Sequence, residues 1–124
     1  MSMCYPIQMM KQAVAKQAAC TPAGYDNMMA MTACYGKREY CHLMQMAYNA
    51  FLEDNRDLAW HCPVLITRGE YERTGKVRIY CDMWHRQTGF PLVIVGHASH
   101  NANVDNPREM NRIMETFLHD NIGR

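Results

Sequence analysis

The chain has 124 residues, 48% of them hydrophobic and 20% charged, with a net charge of +1 at pH 7. That length suits a single core, and basic residues that do not cluster argue against nucleic acid or an anionic membrane as partner. No apolar run approaches the roughly 18 residues that cross a bilayer, and no charged-then-apolar leader opens the chain, so a cytoplasmic location is expected.

Residues 1–61 read as helical. Pro6 suits a first turn, and Ile7, Met10, Val14 and Ala18 then recur at helical spacing. Thr21-Pro22-Ala23-Gly24 is expected to break this helix. A second, from about Tyr25 to Tyr35, carries Met28, Met29 and Thr32 on one side and is expected to stop at Gly36. A third, from about Lys37 to Asn55, presents Tyr40, Met44, Ala47 and Phe51, with Cys41, Tyr48 and Leu52 widening that face. The stretch Glu53-Asp54-Asn55-Arg56-Asp57 is a polar exit loop. Twelve methionines either fill irregular apolar space or line an adaptable surface. The six cysteines contain no Cys-x-x-Cys pair and are expected to be buried thiols in a reducing compartment.

From residue 62 the pattern changes. Cys62-Pro-Val-Leu-Ile-Thr67 is a short apolar run rich in β-branched residues, as in a buried strand. A polar segment follows, and then a helix from about Lys76 to Gln87 that Gly89 ends. Pro91-Leu-Val-Ile-Val95 is a second strand. Asn106, Pro107 and Glu109 form the start signal of a last helix, with Met110, Ile113, Met114, Phe117 and Leu118 on its apolar face. Apolar strands joined by a helix imply a parallel crossover. The expected class is therefore α/β, with a helical region at 1–61 and strand-helix-strand-helix at 62–124. Parallel sheets normally have more than two strands, so this pair reads as the edge of a larger sheet.

Chemistry concentrates between Val95 and Pro107, where a polar loop follows a buried strand. Ligands and catalytic groups gather at such carboxyl ends. The loop holds His97 and His100. Glu70 and Glu72 follow the preceding strand, and adjacent parallel strands bring their C-terminal loops together. A carboxylate there can hold an imidazole in one tautomer, which is the acid–base half of a triad. The plain alternative is local loop histidines beside solvated glutamates. A metal reading rests on Cys81 and His85, spaced i, i+4, with His61, Cys62, His97 and His100 as further donors. It matches no standard zinc spacing, and the donors are expected at opposite ends of the strands, so no metal is expected.

Three segments resemble the C-terminal part of the α/β-hydrolase fold. Cys62-Pro-Val-Leu-Ile-Thr-Arg-Gly-Glu-Tyr-Glu is similar to that family's acid strand and turn. Ala98-Ser-His-Asn-Ala-Asn-Val-Asp-Asn-Pro resembles its histidine loop. Asn111 through Leu118 resembles its final helix. The spacing to Asp105 and Pro107 selects His100 over His97, and the acid position falls on Glu72 rather than Glu70. Ser99 stands where the family usually has glycine. The resemblance implies a Ser-Glu-His triad acting on an ester-like small molecule without a cofactor. It also implies that residues 1–61 are cap-like, with Met28, Met29, Tyr48 and Phe51 as pocket candidates. The nucleophile is missing. The only serines are Ser2 and Ser99, no Gly-x-Ser-x-Gly elbow occurs, and neither Cys62 nor Cys81 lies at such a turn. The expectation is a C-terminal hydrolase fragment, inactive alone, whose serine comes from upstream. The alternative is a non-catalytic interaction module that dimerises through an exposed sheet edge.

Overall fold

The computed structural model describes residues 5–53 and 60–122. Its element order is α1 (Ile7–Ala18), α2 (Pro22–Thr32), α3 (Lys37–Glu53), β1 (Ile66–Gly69), α4 (Val77–Thr88), β2 (Leu92–Val95), α5 (Ala102–Asp105) and α6 (Pro107–Ile122). The two strands pair in parallel, from Ile66 against Leu92 to Gly69 against Val95. The connection between them runs through α4, as a parallel pair requires. The fold is therefore mixed, helices with a small parallel sheet. Among the described residues no helix is long and apolar enough to cross a membrane.

Several boundaries differ from expectation for local reasons. The run beginning at Cys62 becomes a strand only at Ile66, whose N–H donates to the Pro91 carbonyl at 2.9 Å. Pro63 has no N–H to offer a ladder. The Thr21–Gly24 stretch does not merely break a helix: it starts the next one. Thr21 is extended, its hydroxyl accepts the Gly24 N–H at 3.0 Å, and Pro22 occupies the first helical turn. Gly36 does not stop α2, which ends at Thr32. It precedes α3, and its N–H donates to Glu39 Oε2 at 3.0 Å. The one-turn helix α5 was not expected. The stop at Gly89 and the start at Asn106 agree with expectation: Gly89 is left-handed at φ 73, and Asn106 Oδ1 accepts the Glu109 N–H at 3.2 Å. The exit loop expected after Glu53 lies outside the described residues.

The core is small. Val95, Ala98 and Ile113 are buried together, with Leu65, Val93, Ala102 and Met110 packed against them. Alternation along β2 sends Val93 and Val95 toward α6. The other face meets α4, where Arg68 of β1 pairs with Asp82 at 3.4 Å. The third helix buries Tyr40 but leaves Leu43, Met44, Met46 and Tyr48 exposed. Among the described residues the cysteines are not buried as expected: Cys20, Cys34 and Cys62 are exposed, and Cys41 and Cys81 are half-buried, all as free thiols, while Cys4 lies outside the described residues. None of those described belongs to the Val95–Ile113 core, and Cys81 lies on α4 close to Arg68 of β1.

Candidate acid–base site

Both strands end at the same level, so the segments that follow them meet. After β1 the chain turns at once, the Glu72 N–H donating to the Gly69 carbonyl at 3.2 Å. After β2 the loop folds back over this turn, and the Tyr71 N–H reaches the Ala98 carbonyl at 2.8 Å. Gly69 allows this close approach, since a Cβ there would run into the Ser99 carbonyl oxygen. Two carboxylates and two histidines are thereby drawn together from segments almost 30 residues apart in sequence.

Glu72 Oε2 lies 2.8 Å from His100 Nδ1. Its other oxygen accepts the Thr74 N–H at 2.6 Å. An ionised carboxylate can only accept, so the bonded proton sits on His100 Nδ1, and in the neutral ring this leaves the lone pair on Nε2. The Glu72 side chain is 3% exposed and that of His100 is 44% exposed. The acid is therefore enclosed while the imidazole meets solvent. Burial pushes the Glu72 pKa up, but the Thr74 N–H and the His100 imidazole together outweigh it and hold the carboxyl below its ordinary value.

Glu70 has a different task. Its Oε2 accepts the His97 N–H at 2.9 Å, so it braces the loop backbone and not an imidazole. His97 carries the positive φ of 52 that this turn demands, and its Nδ1 lies 3.5 Å from the Tyr71 hydroxyl. The charge of Glu70 raises the Tyr71 pKa.

Ser99 offers no nucleophile. It is fully buried, and its hydroxyl faces the carbonyls of Tyr71 at 3.2 Å and Gln17 at 3.4 Å. Ser2 lies outside the described residues. Asp105 was matched in sequence only as part of a spacing. It accepts hydrogen bonds from the Ser99 N–H at 2.9 Å, the Thr21 N–H at 3.1 Å and the Thr21 hydroxyl at 2.7 Å. The Cys20 N–H approaches at 3.2 Å. Burial raises the Asp105 pKa, but the Thr21 hydroxyl and the Ser99 and Cys20 N–H groups more than offset this and leave it lowered. Cys20 Sγ stands 3.4 Å from the same carboxylate. Burial first, then the hydrogen bond to Asp105 and its charge, push that thiol pKa up, which makes it a poor nucleophile. Nothing local marks these partners in the sequence, since Cys20 and Asp105 are 85 residues apart.

The other site candidates do not gather here. Met28 and Met29 are half-buried on α2. Tyr48 lines a separate groove with Met10, Val14 and Tyr40 that includes neither of those methionines nor His100. The Phe51 side chain lies outside the described residues. His85 Nδ1 is 2.6 Å from the Phe90 carbonyl, and burial raises the Cys81 pKa. Among the described residues no three His, Cys, Asp or Glu side chains are placed to hold a metal ion.

Both lowered carboxyls carry a consequence for acid stability. A group whose folded pKa is depressed contributes stability above its unfolded pKa and loses it as pH falls through the folded value. Thermal melts are expected to be level from neutral pH downward and to drop below about pH 4, the ordinary carboxyl range. Glu72→Gln should remove part of that drop.

Comparison of the chain with protein-family models, with curated proteins and with solved structures gives no match.

Proposed function

We propose that Glu72 and His100 are the acid and base of a Ser-Glu-His triad, and that this chain is the C-terminal, acid–base part of an α/β hydrolase acting on an ester-like small molecule. The observation that carries this reading is the 2.8 Å contact between His100 Nδ1 and a buried Glu72 carboxylate, formed across neighbouring C-terminal loops of two parallel strands. In the reaction, His100 Nε2 takes the proton of a serine hydroxyl, returns it to the leaving alkoxide, and then activates water to release the acyl group. Glu72 orients the ring and stabilises the imidazolium. The serine comes from a segment outside this sequence, and the chain alone is inert. The final helix and the histidine loop support the family reading through the residues that resemble it.

The test has two arms. A Gly-x-Ser-x-Gly segment encoded in frame upstream, or in an adjacent gene, should give chromogenic-ester turnover when combined with this chain, and His100→Ala should abolish it. Turnover by the chain alone, lost on His100→Ala and on treatment with a serine-reactive inhibitor, would contradict the reading.

A second reading, a non-catalytic module that dimerises, has its own observation. The described sheet has only two strands, and Ile94 on β2 is 41% exposed. Unpaired strand edges are templates for association. Sedimentation of the chain separates the two: a dimer that dissociates on substitution at Ile94 favours the module.

A further inference from the structure

We infer that Asp105 is the positioning residue of His100, and that it acts by docking the turn between α1 and α2 onto the histidine loop. His100 has two chain neighbours: Asp105 holds one, and the turn holds the other directly. On one side, the Ser99 N–H donates to Asp105 Oδ2 at 2.9 Å. The same carboxylate accepts the Thr21 N–H at 3.1 Å, the Thr21 hydroxyl at 2.7 Å and the Cys20 N–H at 3.2 Å. On the other side, the Asn101 N–H donates to the Ala18 carbonyl at 2.9 Å, and Asn101 Nδ2 donates to the Gly24 carbonyl at 3.3 Å. The backbone of His100 is thus held at one end by Asp105, itself docked on Cys20 and Thr21, and at the other by Ala18 and Gly24.

Gly24 belongs to the same device. A Cβ at this position would collide with Asp105 Oδ1, so a larger residue here would have to push the carboxylate away from its donors. The charge is also specific. Donors meet both oxygens of Asp105, and an asparagine would turn an NH₂ group toward N–H groups on one side. Hydrogen bonds to an ionised acceptor are the strong kind. The helical region 1–61 is therefore not only a cover. Its first turn sets the loop from which His100 reaches Glu72.

This role deepens the reading of His100 as a base, but its test reads the imidazole and not turnover, so the two can fail separately. In protein labelled with ¹⁵N-histidine, the His100 Nδ1–H resonance is assigned by its loss in His100→Gln. Its exchange with water is then compared with the amide exchange of β1 and β2. Asp105→Asn is expected to speed Nδ1–H exchange at least about tenfold, the effect of losing one charge-assisted hydrogen bond, while the strand amides keep their protection. Thr21→Ala, which leaves the backbone donors in place, should give a smaller acceleration, and Thr21→Ser should restore the original rate. Unchanged Nδ1–H exchange in Asp105→Asn would overturn the proposal, as would acceleration matched by the strand amides. If Asp105→Asn does not fold, the Thr21 pair decides by the same criterion.

Discussion

Glu72→Gln is expected to lower kcat of the completed enzyme by about 10⁴-fold, the loss seen when a triad acid becomes its amide. The geometry explains why so small a change is so costly. Glu72 Oε1 is committed to the Thr74 N–H, so a glutamine in this slot keeps its carbonyl there and turns its NH₂ toward His100. That group donates to Nδ1 and drives the proton to Nε2, where it blocks acceptance of the serine proton. The ring stays in place and its tautomer is wrong. His100→Ala should cost at least as much. Glu70→Gln should cost little, because Glu70 holds a backbone N–H and not the ring. A Glu70→Gln loss equal to that of Glu72→Gln would show that the wrong carboxylate has been assigned.

Gly69→Ala is expected to have the largest effect on stability. The added Cβ meets the Ser99 carbonyl oxygen, a backbone atom that cannot swing aside as the end of a flexible side chain can. The collision falls where the two loops are tied together, the Glu70 N–H to the Val95 carbonyl at 2.9 Å and the Tyr71 N–H to the Ala98 carbonyl at 2.8 Å. Relief requires lifting the histidine loop off β1, which weakens these bonds and withdraws His100 from Glu72. Forcing extra volume into such a contact costs about 3 kcal/mol, and a thermal melt should fall by roughly 10 °C or more. Gly89→Ala serves as a comparison of another kind: its Cβ would meet no atom, and its cost is confined to the φ of 73. A Gly69→Ala protein that melts with the wild type would contradict this loop geometry.

The second half of the chain was readable because its signals are local. Gly89 and Asn106 stop and start helices through their own backbone and side-chain chemistry, and the apolar runs before residues 67 and 96 have few other uses. Parallel pairing followed from the helix between them, and the meeting of the Glu72 and His100 loops followed from parallel pairing. The limits of β1 were less legible, since a ladder starts only where its neighbour supplies an acceptor, here Pro91. The first half was harder. Thr21-Pro22 reads equally as a break or as a cap followed by a first turn, and the structure uses it as the latter. The hold of Asp105 on Cys20 and Thr21 had no local trace, because the two segments meet only once the whole chain has folded. Cysteine placement was misread for the opposite reason: residue type alone says little when the core is as small as Val95, Ala98 and Ile113.

The state of one proton tests the acid–base pair most directly. In mildly alkaline solution a histidine is neutral, and ¹⁵N chemical shifts report which ring nitrogen carries its hydrogen. His100 is expected to be the Nδ1–H tautomer, with a long-lived proton shared with Glu72 and an unprotonated Nε2, and to lose this state in Glu72→Gln. An Nε2–H tautomer in the unmodified chain, or an Nδ1 proton indifferent to Glu72→Gln, would contradict the assignment of Glu72 and His100 as acid and base.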